Sequence, residues 1–192
     1  MGKDRLAAFS DGVIAIIITI MVLELHVPHG SDAAALATTA PSFLSYVLSF
    51  IYVGIYWNNH HHLLHTVTRV DGLILWANLH LLFWLSLIPV ATAWMGQNLG
   101  VPLPTAIYGA TLLMPAVAYM LLQWSIIHQH GTQSVLAEAV GADLKGRISP
   151  VLYVAGIALA FVNPWLSIAL YVLVAIVWLV PDRRIERIIG RE

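Results

Sequence analysis

Between residues 5 and 180 this chain is a succession of long apolar runs, at 5–27, 40–64, 70–96, 104–128 and 148–180, parted by short polar gaps. About 20 apolar residues in helix match the ~30 Å hydrocarbon core of a bilayer, where a backbone without water has to satisfy its own hydrogen bonds. Composition agrees, since 59% of the 192 residues are apolar, 10% are charged and mean hydropathy is +0.82. The chain therefore reads as an all-α integral membrane protein, one domain over 1–192, with room for about six helices. The absence of cysteine excludes disulfides, thiol nucleophiles and thiolate metal sites.

The final run is too long for one span. As a single helix, 148–180 would extend ~50 Å at 1.5 Å per residue. Asn163-Pro164 divides it, because proline lacks an amide donor and biases the preceding residue away from helix. The expected helices are 5–27, 40–64, 70–96, 104–128, 148–162 and 164–180, the last two forming a short hairpin. Pro89 and Pro115 are expected to kink the helices that contain them.

The basic residues test that count independently. All nine fall at the N-terminus (Lys3, Arg5), in the 65–70 loop (Arg69), in the 129–147 loop (Lys145, Arg147) and at the C-terminus (Arg183, Arg184, Arg187, Arg191). With six helices these four regions share the cytoplasmic side, as the positive-inside rule requires; with five, four arginines are stranded outside. The expectation is a multi-pass protein of the plasma membrane with both termini cytoplasmic, and with the basic RRIERIIGR segment anchored at the inner headgroups. MGKDR before an apolar run imitates a secretory leader, but Asp11 interrupts the run, and Glu24 and Asp32 occupy the would-be cleavage region. The first helix is expected to stay.

No phosphate-binding loop, nucleotide fingerprint, serine elbow or internal repeat is visible, so function falls to the few polar groups inside the spans. Each is costly there, about 2.5–3.5 kcal/mol for a carboxylate at a helix centre on insertion scales. On the first helix, 100° per residue gathers Phe9, Gly12, Ile16, Thr19, Ile20 and Leu23 into one stripe and leaves Asp11 about 140° from Ile16. That stripe is either ordinary packing or the lining of an axis. Glu24, about 80° from it near the outer end, either raises cation concentration at a mouth or caps a helix contact. On the second helix WNNHHHLLH, Trp57–His65, admits a proton relay, a metal site or a hydrogen-bonded brace for Arg5 and Asp11. On the third, Asp71 and Gly72 cap the start, and Asn78, two turns inside, suits a bond to another helix.

Two rival readings are weighed. A histidine-box membrane metalloenzyme, with iron on His60 to His65, His80, His128 and His130, needs several boxes clustered on one face, which the spacing does not give. A proton-coupled transporter would use Asp11 and the histidines, but internal repeats and discontinuous helices are lacking.

The motifs R-x-x-x-F-S-D-G opening the first helix, W-x-x-H-H ending the second and R-V-D-G…N opening the third resemble the transmembrane protein 175 family of potassium channels, over roughly residues 5–95. The resemblance implies six helices per subunit, with helix 1 of each subunit lining the central pore of a homotetramer. It implies a channel and not an enzyme, with no cofactor or bound metal beyond the permeant potassium ion, the bilayer as partner, and neither nucleic acid nor a small-molecule substrate. Carried onto this chain, the hydrophobic constriction corresponds to Ile16, with Ile20 and Leu23 above it, and the selectivity layer to Thr19. Arg5, Phe9, Ser10 and Asp11 correspond to the signature that ties helix 1 to helices 2 and 3, where His61 or His62, Trp57 and Asn78 are the implied partners, the triple histidine leaving open which of His60, His61 and His62 makes the contact. A ring of four Ile16 side chains makes an apolar neck that blocks flow by dewetting, and four Thr19 hydroxyls replace part of a potassium ion's lost water. Modest selectivity is expected, because no TVGYG-type carbonyl filter is present.

Overall fold

The computed structural model describes residues 2–131, 133–134, 136–137 and 144–179. The four C-terminal arginines, and with them the headgroup-anchor expectation, lie outside the described residues. Within these, the chain forms α1 (Lys3–Leu23), α2 (Ala33–Thr38), α3 (Ala40–His65), α4 (Gly72–Leu85), α5 (Ile88–Gln97), α6 (Pro102–His130), α7 (Leu144–Ala160) and α8 (Pro164–Leu179). Among the described residues, four stretches are long and apolar enough to cross a bilayer: Lys3–Leu23, Ala40–His65, Gly72–Gln97 and Pro102–His130. The apolar α8 is shorter.

Local chemistry accounts for the breaks. Pro89 cannot donate to Leu85, and the ladder opens at Ser86 and Leu87, so the expected kink is a full interruption between α4 and α5. Pro115 sits inside an unbroken 29-residue α6. α7 ends at Ala160, and Asn163 Oδ1 accepts the Trp165 amide at 3.0 Å to start α8 at Pro164. α1 stops at Leu23, short of 27, because the chain turns at Glu24 ahead of Pro28. The six-residue α2 was not expected; Asp32 caps it by accepting the Ala35 amide at 2.8 Å. The cap expected at Asp71 is present, its carboxylate accepting the Ile74 amide at 2.8 Å.

The helices pack around two apolar cores. The first joins Leu6, Ile14, Ile17 and Met21 of α1 to Leu63 and Leu64 of α3, Ile74, Leu81 and Leu85 of α4, and Leu122 and Ile126 of α6. The second joins Tyr52, Met95, Tyr108, Leu112, Tyr153 and Tyr171 from α3, α5, α6, α7 and α8. α6 is the central post, against α4, α5, α7 and α8, whereas the main contacts of α1 are with α3, α4 and α5. That leaves one side of α1 uncovered by its own protomer.

Close approach in the second core depends on two glycines. A Cβ at Gly109 would overlap the Tyr171 hydroxyl and one at Gly156 the Tyr171 ring, and Tyr171 is fully buried with its carbonyl accepting the Tyr52 hydroxyl. Gly156→Val is expected to cost ~1–3 kcal/mol by overpacking. A thermal melt of the purified protein in detergent checks this; an unchanged midpoint contradicts the tight contact.

Candidate pore helix and its anchorage

The two sides of α1 have opposite characters, and the helical repeat is the reason. Leu6, Ser10, Ile14, Ile17 and Met21, spaced by three and four, form the buried face. Phe9, Gly12, Ile16, Thr19, Ile20 and Leu23 are all exposed in the protomer, Ile16 to 58% and Leu23 to 81%. The single hydroxyl on that face is oriented by its own backbone: Thr19 Oγ1 donates its proton to the Ile16 carbonyl at 2.9 Å. Its lone pairs are left as acceptors, which is what a desolvated cation requires. Glu24, exposed at the end of α1, makes no side-chain hydrogen bond or ion pair among the described residues.

The buried face is fastened by a polar chain through three helices. His60 Nε2 bonds Asn78 Oδ1 at 2.7 Å, Asn78 Nδ2 donates to Ser10 Oγ at 3.0 Å, and Ser10 Oγ donates to the Leu6 carbonyl at 2.9 Å. An amide oxygen only accepts, so the imidazole proton on this side is on Nε2. All three side chains are at most 1% exposed. Each donor meets an acceptor, which is the condition for keeping polar groups in an apolar core. A second tie lies at the rim, where Trp57 Nε1 donates to Asp11 Oδ1 at 3.0 Å. Trp57 is half exposed and Asp11 partly so.

The brace differs from expectation at Arg5 and Phe9, and the choice left open among three histidines is decided. Of His60, His61 and His62, it is His60 that meets Asn78, while His61 and His62, also placed in the brace, pair elsewhere. His60 continues the face of Val53, Leu63 and Leu64, all buried, whereas His61 falls on the exposed stripe of Trp57 and His65. His61 bonds His65, Nε2 to Nε2 at 3.1 Å, and His62 packs its ring edge-on to His61 with centroids 5.7 Å apart. The missed signal was the apolar Leu63, Leu64 and Val67 at three, four and seven residues beyond His60. Arg5, in the first turns of α1, is exposed and makes no side-chain hydrogen bond or ion pair with a described residue. Phe9 is 51% exposed and belongs to the open face, about 100° from the buried Ser10.

The other three histidines of the rival iron set are spent separately. His80 accepts Trp84 Nε1 at 2.8 Å, the His128 ring stacks on Trp124, and His130 Nε2 accepts the Thr68 and Arg69 amides. Among the described residues no group of three or more His, Asp or Glu side chains is placed to hold a metal ion.

Comparison with known proteins follows this geometry. Residues 5–89 match the sequence family described as "Endosomal/lysosomal potassium channel TMEM175". The chain is 58% identical over 187 residues to a potassium channel of Chryseobacterium sp. (strain P1-3), covering 97% of each. It is 34% identical over 149 residues to the human endosomal/lysosomal proton channel TMEM175, covering 69% of this chain and 30% of that one. Its fold matches the crystal structure of a lysosomal potassium-selective channel TMEM175 homolog from Chamaesiphon minutus, with TM-score 0.80 and 29% identity over 92% of this chain and 95% of that one.

Proposed function

This chain belongs to the TMEM175 family, and we propose from that premise that it is a potassium channel of the plasma membrane, assembled as a homotetramer with α1 of each subunit lining the pore. In this reading α4 and α5 form one bent span and α7 and α8 two short ones, making six per subunit with both termini cytoplasmic. The observation that carries the reading is the division of α1: one face is locked into the protomer through Ser10 and Asn78, and the other leaves Ile16, Thr19, Ile20 and Leu23 exposed. A pore helix has to be rigid behind and open in front. Four Ile16 side chains form the neck, and four Thr19 oxygens, their protons already committed to the backbone, offer partial replacement for water on the ion. Glu24 at the outer end raises local cation concentration, each copy adding to the same field.

Liposomes containing the purified protein are expected to conduct, with a bi-ionic reversal potential that favours potassium over sodium by a modest ratio. A reversal potential at zero, or the absence of cation current, overturns the proposal. A second reading, proton conduction, is prompted by the human relative's name. The same vesicles loaded with a pH dye, with equal potassium and valinomycin balancing charge and an inward pH gradient imposed, separate the two, since a proton channel acidifies them and a channel that passes only potassium does not.

A further inference from the structure

Two histidines stand apart from the core chain and from the open face of α1. His61 and His65 lie one turn apart near the C-terminal end of α3, both exposed, on the stripe that also carries Trp57. Their rings are edge-on, with centroids 4.5 Å apart, and their Nε2 atoms face each other at 3.1 Å. Two imidazole nitrogens on one tetrahedral ion, each at about 2.0–2.1 Å, sit roughly 3.3 Å apart. The pair is thus already near the bite that chelation demands, and neither residue is held by the core.

We propose that His61 and His65 form a bidentate site for a late first-row divalent cation, copper(II), nickel(II) or zinc. Imidazole nitrogens favour these ions over magnesium or calcium, which prefer oxygen. In the metal-free pair one Nε2–H donates to the other Nε2. The ion takes both lone pairs once that proton moves to the Nδ1 of its own ring, so neutral histidines bind with no net proton release. Water completes the coordination. Among surrounding charges, Asp4 at the head of α1 favours a cation beside His65, and Lys3 opposes it. The site is independent of the pore reading, because it uses no residue of the α1 face.

The test is copper(II) titrated into the purified protein, freed of any polyhistidine tag, with affinity from calorimetry and ligand nitrogens from electron paramagnetic resonance. Wild type is expected to bind one ion per protomer with two coordinated nitrogens. His65→Ala and His61→Ala are each expected to weaken binding at least fivefold and remove one nitrogen, while His62→Ala changes neither. Loss of less than fivefold in either of the first two, or an equal loss in His62→Ala, overturns the site. Both residues are exposed, and an unchanged gel-filtration profile verifies that the variants fold.

Discussion

Replacing Ile16 by asparagine is expected to enlarge the potassium current of reconstituted protein by about tenfold and to bring the potassium-to-sodium ratio toward one. The barrier at an apolar neck is the free energy of wetting it and of stripping the ion's water there. In the proposed tetramer, an amide in each of four subunits holds water in the neck. Lowering that barrier by only ~1.4 kcal/mol multiplies the rate tenfold. Selectivity falls with it, because an ion that keeps its hydration shell is not distinguished by how readily it gives the shell up. Ile16 is 58% exposed in the protomer, so the change empties no core site. Val22→Asn, also on the surface of α1 but about 120° from Ile16, is the control and is expected to leave current and selectivity as they were. A wild-type current and reversal potential in Ile16→Asn would remove Ile16 from the constriction.

Much of this arrangement is written in the order of residues, and the rest is not, for identifiable reasons. The helical class, the division at Asn163-Pro164 and the cap at Asp71 follow from hydropathy, a missing amide proton and a short carboxylate, all local properties. The opposition of the α1 faces follows from the 100° repeat alone. The interruption at Ser86 and Leu87 was less legible, because a proline inside a helical run does not always break it; α6 continues unbroken through Pro115. The three consecutive histidines were ambiguous in the same way. Any of them has the chemistry to bond Asn78, and only the packing of Leu63 and Leu64 decides that His60 turns inward. Phe9 lies on the open side as the 100° repeat places it, whereas the exposure of Arg5 is a property of one protomer's boundary, which no local pattern encodes.

The inward histidine sets the most severe expected loss of stability. Asn78→Leu preserves approximate volume but removes both bonds that the amide makes, leaving His60 Nε2–H without an acceptor and Ser10 Oγ with one partner fewer, at sites at most 1% exposed. An orphaned buried donor costs about 1–3 kcal/mol, and an interhelical bond in a membrane protein is worth ~0.6 kcal/mol on average and at most ~1.7. Asn78→Leu is therefore expected to destabilise the protomer by about 2–4 kcal/mol, read as a lower thermal midpoint in detergent. The signature of a network rather than of lost volume is rescue: adding His60→Leu removes the orphaned donor and is expected to recover part of the loss, because replacing both partners by apolar groups is close to neutral. A double variant that melts below the single one contradicts the chain. Asp11→Ala is expected to behave differently. Its bond from Trp57 lies at the half-exposed rim, so the protomer's midpoint is expected to change little, while in the proposed assembly, where α1 lines the pore, loss of this tie is expected to give fewer tetramers by cross-linking and gel filtration. An Asp11→Ala tetramer as abundant and as stable as wild type would leave the Ser10, Asn78 and His60 chain as the sole fastening of the pore helix.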